Sequence, residues 1–305
     1  MDMNIIIAIN EKYIEPAKTM LFSLASNQKE EIKVFLLQSS VSEEKIEELQ
    51  SFVREKCHGE LIPVKIDRTI FANVPISKWW TEETYYRLIA FKLLPQTVTR
   101  ALWLDADIVV NGDITELYTQ SFEGMYAVVC AEDTMKNHQR LGLSEEHRYF
   151  NAGVILLNLE AIRRSFSVQS VFDCIETHRN HLDALDQDIL NLLFENQVKY
   201  VDAQIYNNET FGFNVLSKEK MTELRNMAKI IHFTGSMKPW NYRGANWADR
   251  YWWKYEKGRG DRVVAFLGYR CLNTPIKLWH IAREGYYLFL GQAKKALKWF
   301  SCGRK

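Results

Sequence analysis

Short apolar runs rich in isoleucine and valine punctuate the chain at 4–9, 33–37, 61–66, 100–104, 126–130, 154–159, 199–201 and 229–233. Most are continuous rather than alternating, the pattern of strands covered on both faces. Helical spacing fills the gaps between the early runs. Positions 16–26 place Met20, Leu21 and Leu24 on one face. Ser42 stands where a cap belongs, ahead of Glu43 and Glu44 in a first turn, with Ile46, Leu49 and Val53 turned inward. A further helix is expected to begin near Thr81 and to carry Tyr85, Leu88 and Ile89. Strand and helix in alternation predict a mostly parallel sheet of the nucleotide-binding kind. After Val110 the alternation weakens, and a mixed sheet with long functional loops fits better. No internal repeat, low-complexity tract or Pro/Gly linker breaks the chain. The one compositional boundary is near Arg250, where YWWKYEKGRGDR opens a Trp- and charge-rich stretch. The expectation is one α/β domain over 1–250 and a C-terminal extension over 251–305.

A chain of 305 residues with 47% hydrophobic content fills a sizeable core, which excludes disorder as the organising principle. A net charge of +1 gives no reason to expect nucleic acid. The balance is uneven, however. From Lys277 onward seven Lys or Arg face the single acid Glu284, a net of +6, so residues 1–276 carry −5 of the total +1. The five cysteines are scattered and lack CxxC spacing, which suits a reducing compartment better than a zinc site or a disulfide framework. The opening MDMNIIIAIN is unlike a signal peptide, and no apolar run approaches the ~20 residues of a membrane span. A cytoplasmic location is expected.

Four stretches carry candidate chemistry. In ALWLDADIVV, Asp105 and Asp107 sit just past a buried strand, where open α/β sheets bind ligands. Paired carboxylates there are suited to a divalent cation and, through it, a diphosphate. A turn or a helix cap would account for a lone D-x-D equally. In IIHFTGSMKPW, His232 stands near a strand end, Gly235 lets main-chain N–H groups approach an anion, and Lys238 supplies a point charge. A lone histidine is more often structural. Beside two aspartates on a neighbouring strand tip, it completes a mixed N/O set suited to Mn²⁺. In YFNAGVILLNL, Asn151 precedes the small pair Ala152-Gly153 and a buried run, which reads either as a turn before a strand or as a polar contact with room for a ligand. In LDALDQDILNLLF, Asp186, Gln187 and Asp188 fall in or before the first turn of a helix. Capping explains acids there, and recognition of sugar hydroxyls needs the same groups.

These motifs, in this order, resemble the family 8 retaining glycosyltransferases, most nearly the bacterial lipopolysaccharide galactosyl- and glucosyltransferases. The resemblance spans about residues 4–250. It implies a GT-A type, Rossmann-like mixed sheet flanked by helices, with the basic, aromatic tail as a helical extension. It also implies a hexosyltransferase that takes a UDP-sugar donor and Mn²⁺, with Mg²⁺ as the alternative. By the same likeness AINEKY is the uridine-binding segment, giving Ala8, Asn10 and Tyr13, with Asn10 where the family usually has Asp. Arg87 reaches the donor, Asp105, Ala106 and Asp107 form the metal and diphosphate segment, and His232 is the third metal ligand. Asp133, Asn151 with Ala152, and Asp186 contact the donor sugar, Gln187 lies near the reacting face of the anomeric carbon, and Gly235 and Lys238 clamp the diphosphate.

Gln187 is an amide and a poor nucleophile, which favours a front-face route, while Asp133 or Asp186 would serve a double displacement. Galactose and glucose remain open as donors. The expected acceptor is a glycan or lipid-linked sugar such as lipopolysaccharide. Alternatives are a catalytically silent nucleotide-sugar-binding protein and a glycogenin-like self-glucosylating enzyme. Nucleotidyl transfer is disfavoured because AINEKYIEPA lacks a Gly-rich loop. The tail reads KLWHIAREGYYLFLGQAKKALKWFSCGRK, with Tyr286, Phe289, Leu290, Ala293, Leu297 and Phe300 on one helical face and Lys294, Lys295 and Lys298 off it. Such a helix suits the anionic inner face of a membrane, which would make the protein peripheral there. A terminal helix packed on the domain, with lysines reaching outward, is the other reading.

Overall fold

The computed structural model describes residues 2–72, 74–75, 82–132, 135–210, 218–236, 238–241 and 248–259. Among the described residues there are ten strands: β1 Met3–Ala8, β2 Ile32–Gln38, β3 Glu60–Lys65, β4 Arg100–Leu104, β5 Ile108–Val110, β6 Ala127–Ala131, β7 Phe150–Asn158, β8 Val198–Val201, β9 Asn208–Glu209 and β10 Ile230–His232. Seven form a central sheet in the order β3-β2-β1-β4-β7-β6-β8, and three form a small sheet in the order β5-β10-β9.

The first half of the central sheet is parallel, with β1 between β2 and β4. β7 then enters antiparallel between β4 and β6, and β8 runs parallel to β6. The result is the expected mixed α/β sheet. Continuous apolar runs arise because alternate residues enter two separate cores. Ile5, Ile7, Val34, Leu36, Leu102 and Leu104 face one side, against the helices Ile14–Ala25 and Glu43–Lys56. Ile6, Phe35, Leu37, Ala101 and Trp103 face the other, against Leu88, Ile162, Val171 and Ile189. β3 is the exception. Its exposure alternates and it contains Pro63, both expected of an edge strand.

Three expectations change. The segment from Glu82 to Ile89 is a 3₁₀ helix that becomes α-helical only over Ala90–Leu93, while Thr81 lies outside the described residues. Ser42 occupies the N-cap position without a side-chain capping bond. Asn151, Ala152 and Gly153 do not precede a strand but lie within β7.

The boundary expected at 250 falls inside the helix Asp249–Gly258. Trp252 and Tyr255 of this helix pack with Val109 and Ile231 of the small sheet and with Phe233 just beyond β10. Arg259, also buried, donates to Glu15 O at 3.0 Å and pairs with Glu15 Oε2 at 2.8 Å. Residues 249–259 therefore pack against the small sheet and the helix Ile14–Ala25. The rest of the tail, including 277–305, lies outside the described residues. Among the described residues no helix is long and apolar enough to cross a membrane.

Candidate active site

The D-x-D is the link between the two sheets. β4 ends at Leu104, paired with Val154, and Asp105 N donates to Gly153 O at 3.0 Å. Two residues later, Phe233 N donates to Asp107 O at 2.9 Å, and β5 pairs with β10 so that Ile108 meets His232. Ala106, between them, packs into the core. Its expected place in the donor site is thus limited to the main chain. The two carboxylates are held by different sheets, and the small sheet brings His232 to them. One ligand atom each from Asp105, Asp107 and His232 lies within 4.8 Å of the others. His232 Nε2 is 3.2 Å from Asp107 Oδ1 and 3.9 Å from Asp105 Oδ2.

Charge around this cluster is tightly arranged. Burial opposes the ionisation of Asp107, but Lys238 and then His232 outweigh it and hold its carboxyl far below the usual range. Lys238 Nζ pairs with Asp107 Oδ2 and donates to Phe233 O at 2.7 Å. Burial works to lower His232, yet Asp107 and Asp105 raise it above an ordinary imidazole. Asp105 Oδ1 accepts from Trp103 Nε1 at 2.8 Å and from Arg87 at 3.0 Å. Arg87 is buried, stacks over Trp103 at 4.5 Å, donates to Ala152 O, and pairs with Asp186 at 2.9 Å. Burial pushes Asp186 up to about 6, with Arg87 acting in the opposite direction.

A set of hydrogen-bonded polar side chains adjoins the cluster. Gln187 Oε1 accepts from Ala152 N at 2.9 Å, and its Nε2 donates to Glu132 at 2.9 Å and to Tyr149 at 3.2 Å. Gln187 therefore has a fixed orientation, with its carbonyl oxygen already engaged. Asp188 does not join it. That carboxylate is fully buried and accepts from Arg140, Tyr149, Asp183 N and Ala184 N. Of the two readings left open for the acids of D-Q-D, Asp188 takes the main-chain bracing one. It braces the turn at Leu185, whose φ of 39° is costly for a non-glycine residue.

At the far end of the site, Ala8 ends β1, and Asn10 caps the 3₁₀ turn Glu11–Tyr13 by accepting from Lys12 N at 3.1 Å. Tyr13 packs edge-on to Trp240 at 5.9 Å, and burial with the charges of Asp107 and Asp105 pushes its phenol upward. Gly235, with φ of 79°, turns the chain between His232 and Lys238, a geometry that favours glycine. Asp133 lies outside the described residues. Glu132, Glu209 and Asn207 were not singled out from sequence. Burial pushes Glu209 up, and His232 opposes the shift. None of the three belongs to a spaced motif, so only their position in space reveals them.

The donor set fits a divalent cation. His232 Nδ1 is occupied by Asn207 Oδ1 at 2.9 Å, which turns Nε2 toward two carboxylates. Neutral imidazole there would face negative oxygen with a lone pair, so the space between them calls for a proton or a metal ion.

The mixed seven-stranded sheet, with a carboxylate pair at its central strand tip, has the GT-A fold of glycosyltransferases. Residues 4–244 match the glycosyl transferase family 8 profile, and the chain belongs to that family. A lipopolysaccharide 1,2-glucosyltransferase of Escherichia coli is 30% identical over 258 residues, covering 80% of this chain and 76% of that protein. A lipopolysaccharide 1,3-galactosyltransferase of Salmonella typhimurium is 29% identical over 195 residues, covering 61% and 57%. Among solved structures, the galactosyltransferase LgtC in complex with donor and acceptor sugar analogs superposes with a TM-score of 0.75 at 21% identity, over 87% of this chain and 99% of that one. The likeness to LgtC is one of fold.

Proposed function

We propose that this protein transfers a hexose, galactose or glucose, from a UDP-sugar to a glycan or glycolipid acceptor such as lipopolysaccharide, with retention of configuration and dependence on Mn²⁺. The observation that carries the reading is the convergence of Asp105, Asp107 and His232 within 4.8 Å. The lipopolysaccharide hexosyltransferases among its relatives support the substrate class. Asp105, Asp107 and His232 would hold the cation, which when bound supplies positive charge against the donor diphosphate. Lys238, beside Asp107, adds a second positive charge for the departing UDP. Ala8, Asn10 and Tyr13 bind the uridine end. Asn151 presents an amide N–H to the donor sugar, Gln187 lies near the reacting face of the anomeric carbon, and Asp186 stands behind them on Arg87. Because the Gln187 oxygen is bound to Ala152 N, attack by this residue on the anomeric carbon is disfavoured and a front-face route is supported.

The catalytic unit is proposed to run through Arg259, with the basic tail docking to the anionic inner face of the membrane. The experiment is donor hydrolysis across a panel of UDP-sugars with Mn²⁺ or Mg²⁺, paired with calorimetry of Mn²⁺-dependent UDP binding. Asp105→Ala, Asp107→Ala and His232→Ala should each weaken that binding while the fold persists. Unchanged affinity in all three would overturn the site.

A further inference from the structure

Asn207 belongs to no motif, yet it is buried at 2% exposure beside a histidine exposed by only 3%. It follows the helix Ala203–Tyr206, where its N–H donates to Ala203 O at 3.0 Å, and it immediately precedes β9. Its main chain is thus set by two elements, and its amide reaches across to β7 and β10.

We propose that Asn207 is a positioning residue that fixes the tautomer of His232. It does so by closing a directed hydrogen-bond relay that starts at the main chain of Gly153. The proposal rests on the metal-site reading above.

The direction of the relay is decided at its far end. A main-chain N–H only donates, and Gly153 N donates to Asn151 Oδ1 at 2.8 Å. That contact pins the Asn151 amide, leaving its Nδ2 facing Glu132 Oε2 at 3.5 Å, an oxygen that accepts. Asn151 Oδ1 also lies 3.0 Å from Asn207 Nδ2, which must therefore be the donor end of that second amide. Asn207 then turns its Oδ1 to His232 Nδ1 at 2.9 Å. An amide oxygen accepts only, so Nδ1 carries a proton. In neutral imidazole the lone pair is then left on Nε2, the atom that faces Asp107 and Asp105.

Steric contact complements the relay. A Cβ at Gly153 would lie 2.2 Å from His232 Cε1, so the ring is seated against a bare Cα while Asn207 sets which nitrogen points where. Asn151 is also redefined. Its oxygen is consumed by Gly153 and Asn207, so only Nδ2 remains for a donor sugar. The Asn151 amide and the His232 ring are parts of one polar chain.

The test uses the full chain with ¹⁵N-labelled histidine and no metal, at a pH where His232 is neutral. The His232 ring resonances are assigned by their loss in His232→Asn. Wild type should show the Nδ1–H tautomer. Asn207→Leu, which removes the acceptor, should move the proton to Nε2 and weaken Mn²⁺ binding by roughly 10–100-fold in calorimetry. Asn207→Asp keeps an acceptor at Nδ1 and should keep the tautomer, which guards against a leucine variant that fails to fold. An Nε2–H tautomer in wild type, or an Asn207→Leu protein with unchanged tautomer and Mn²⁺ affinity, overturns the proposal. A wild type with the Nδ1–H tautomer but no Mn²⁺ binding overturns the metal reading and leaves the relay supported.

Discussion

Gly153→Ala adds a single methyl group at the most crowded point of the site. The new carbon would stand 2.2 Å from His232 Cε1, 2.8 Å from Nδ1 and 3.0 Å from Asn151 Oδ1, where ordinary contact begins at 3.4 Å. The imidazole would have to retreat by about 1.2 Å, the gap between those two distances. It has nowhere to go, being buried and bonded to Asn207 at 2.9 Å. Nor does β7 yield freely, because Gly153 O accepts from Asp105 N, so any backbone shift drags a carboxylate of the cluster with it. Overpacking of this kind costs about 1–3 kcal/mol. In domains of roughly 150–250 residues that lowers Tm by about 2–4 °C per kcal/mol. Metal ligands tolerate errors of only about 0.2 Å in distance, so the larger effect falls on affinity. Mn²⁺ binding should weaken at least roughly 10–100-fold, the range seen when a ligand loses its support. Calorimetry with Mn²⁺ and UDP, alongside thermal melts, measures both. Gly112→Ala is the control, since its Cβ would meet only Lys229 at 3.4 Å or more. If Gly153→Ala bound Mn²⁺ like wild type, the seating of His232 on β7 would be refuted.

Lys238→Ala should lower kcat by more than it weakens donor binding, a loss of about 2–4 kcal/mol in transition-state stabilisation; a rise in KM alone would make Lys238 a ground-state binder. Arg87→Ala leaves the buried carboxylate of Asp186, and the half-buried one of Asp105, without this guanidinium and should destabilise the fold by about 3–5 kcal/mol in denaturant titration, with Arg87→Lys intermediate. Folding raises the Asp186 pKa from 3.8 to about 6, so its contribution to stability is complete below the lower value and lost as pH climbs through the higher one. Asp186→Asn lacks that loss, and its Tm relative to wild type should rise between about pH 4 and 7 by the equivalent of about 1–3 kcal/mol; parallel Tm curves would contradict this. A chain truncated before Lys277 should keep UDP-sugar hydrolysis but lose salt-sensitive binding to anionic vesicles, and loss of hydrolysis would instead assign the tail to the folded core.

The strands of the central sheet were legible because burial on both faces leaves a local trace. Ile5 to Ile7 and Val34 to Leu37 are apolar without a break, since each successive side chain enters one core or the other. D-x-D, F-N-A-G-V, D-Q-D and H-F-x-G-x-x-K were likewise readable as a set in order. What they form together was not. β5 has three residues and β9 two, too few for any periodicity, yet pairing β5 and β9 with β10 is what carries His232 to the aspartates. Asp186 and Asp188 look alike in sequence, but one pairs with Arg87 and the other is enclosed by Arg140, Tyr149 and two main-chain N–H groups. Asn207 has no distinguishing neighbour at all, and its partners stand 25 and 56 positions away. Sequence records how each residue meets solvent and its nearest neighbours along the chain. Which distant donor faces which acceptor is decided only when the two sheets close on each other, because hydrogen bonds act over about 3 Å of space whatever the separation along the chain.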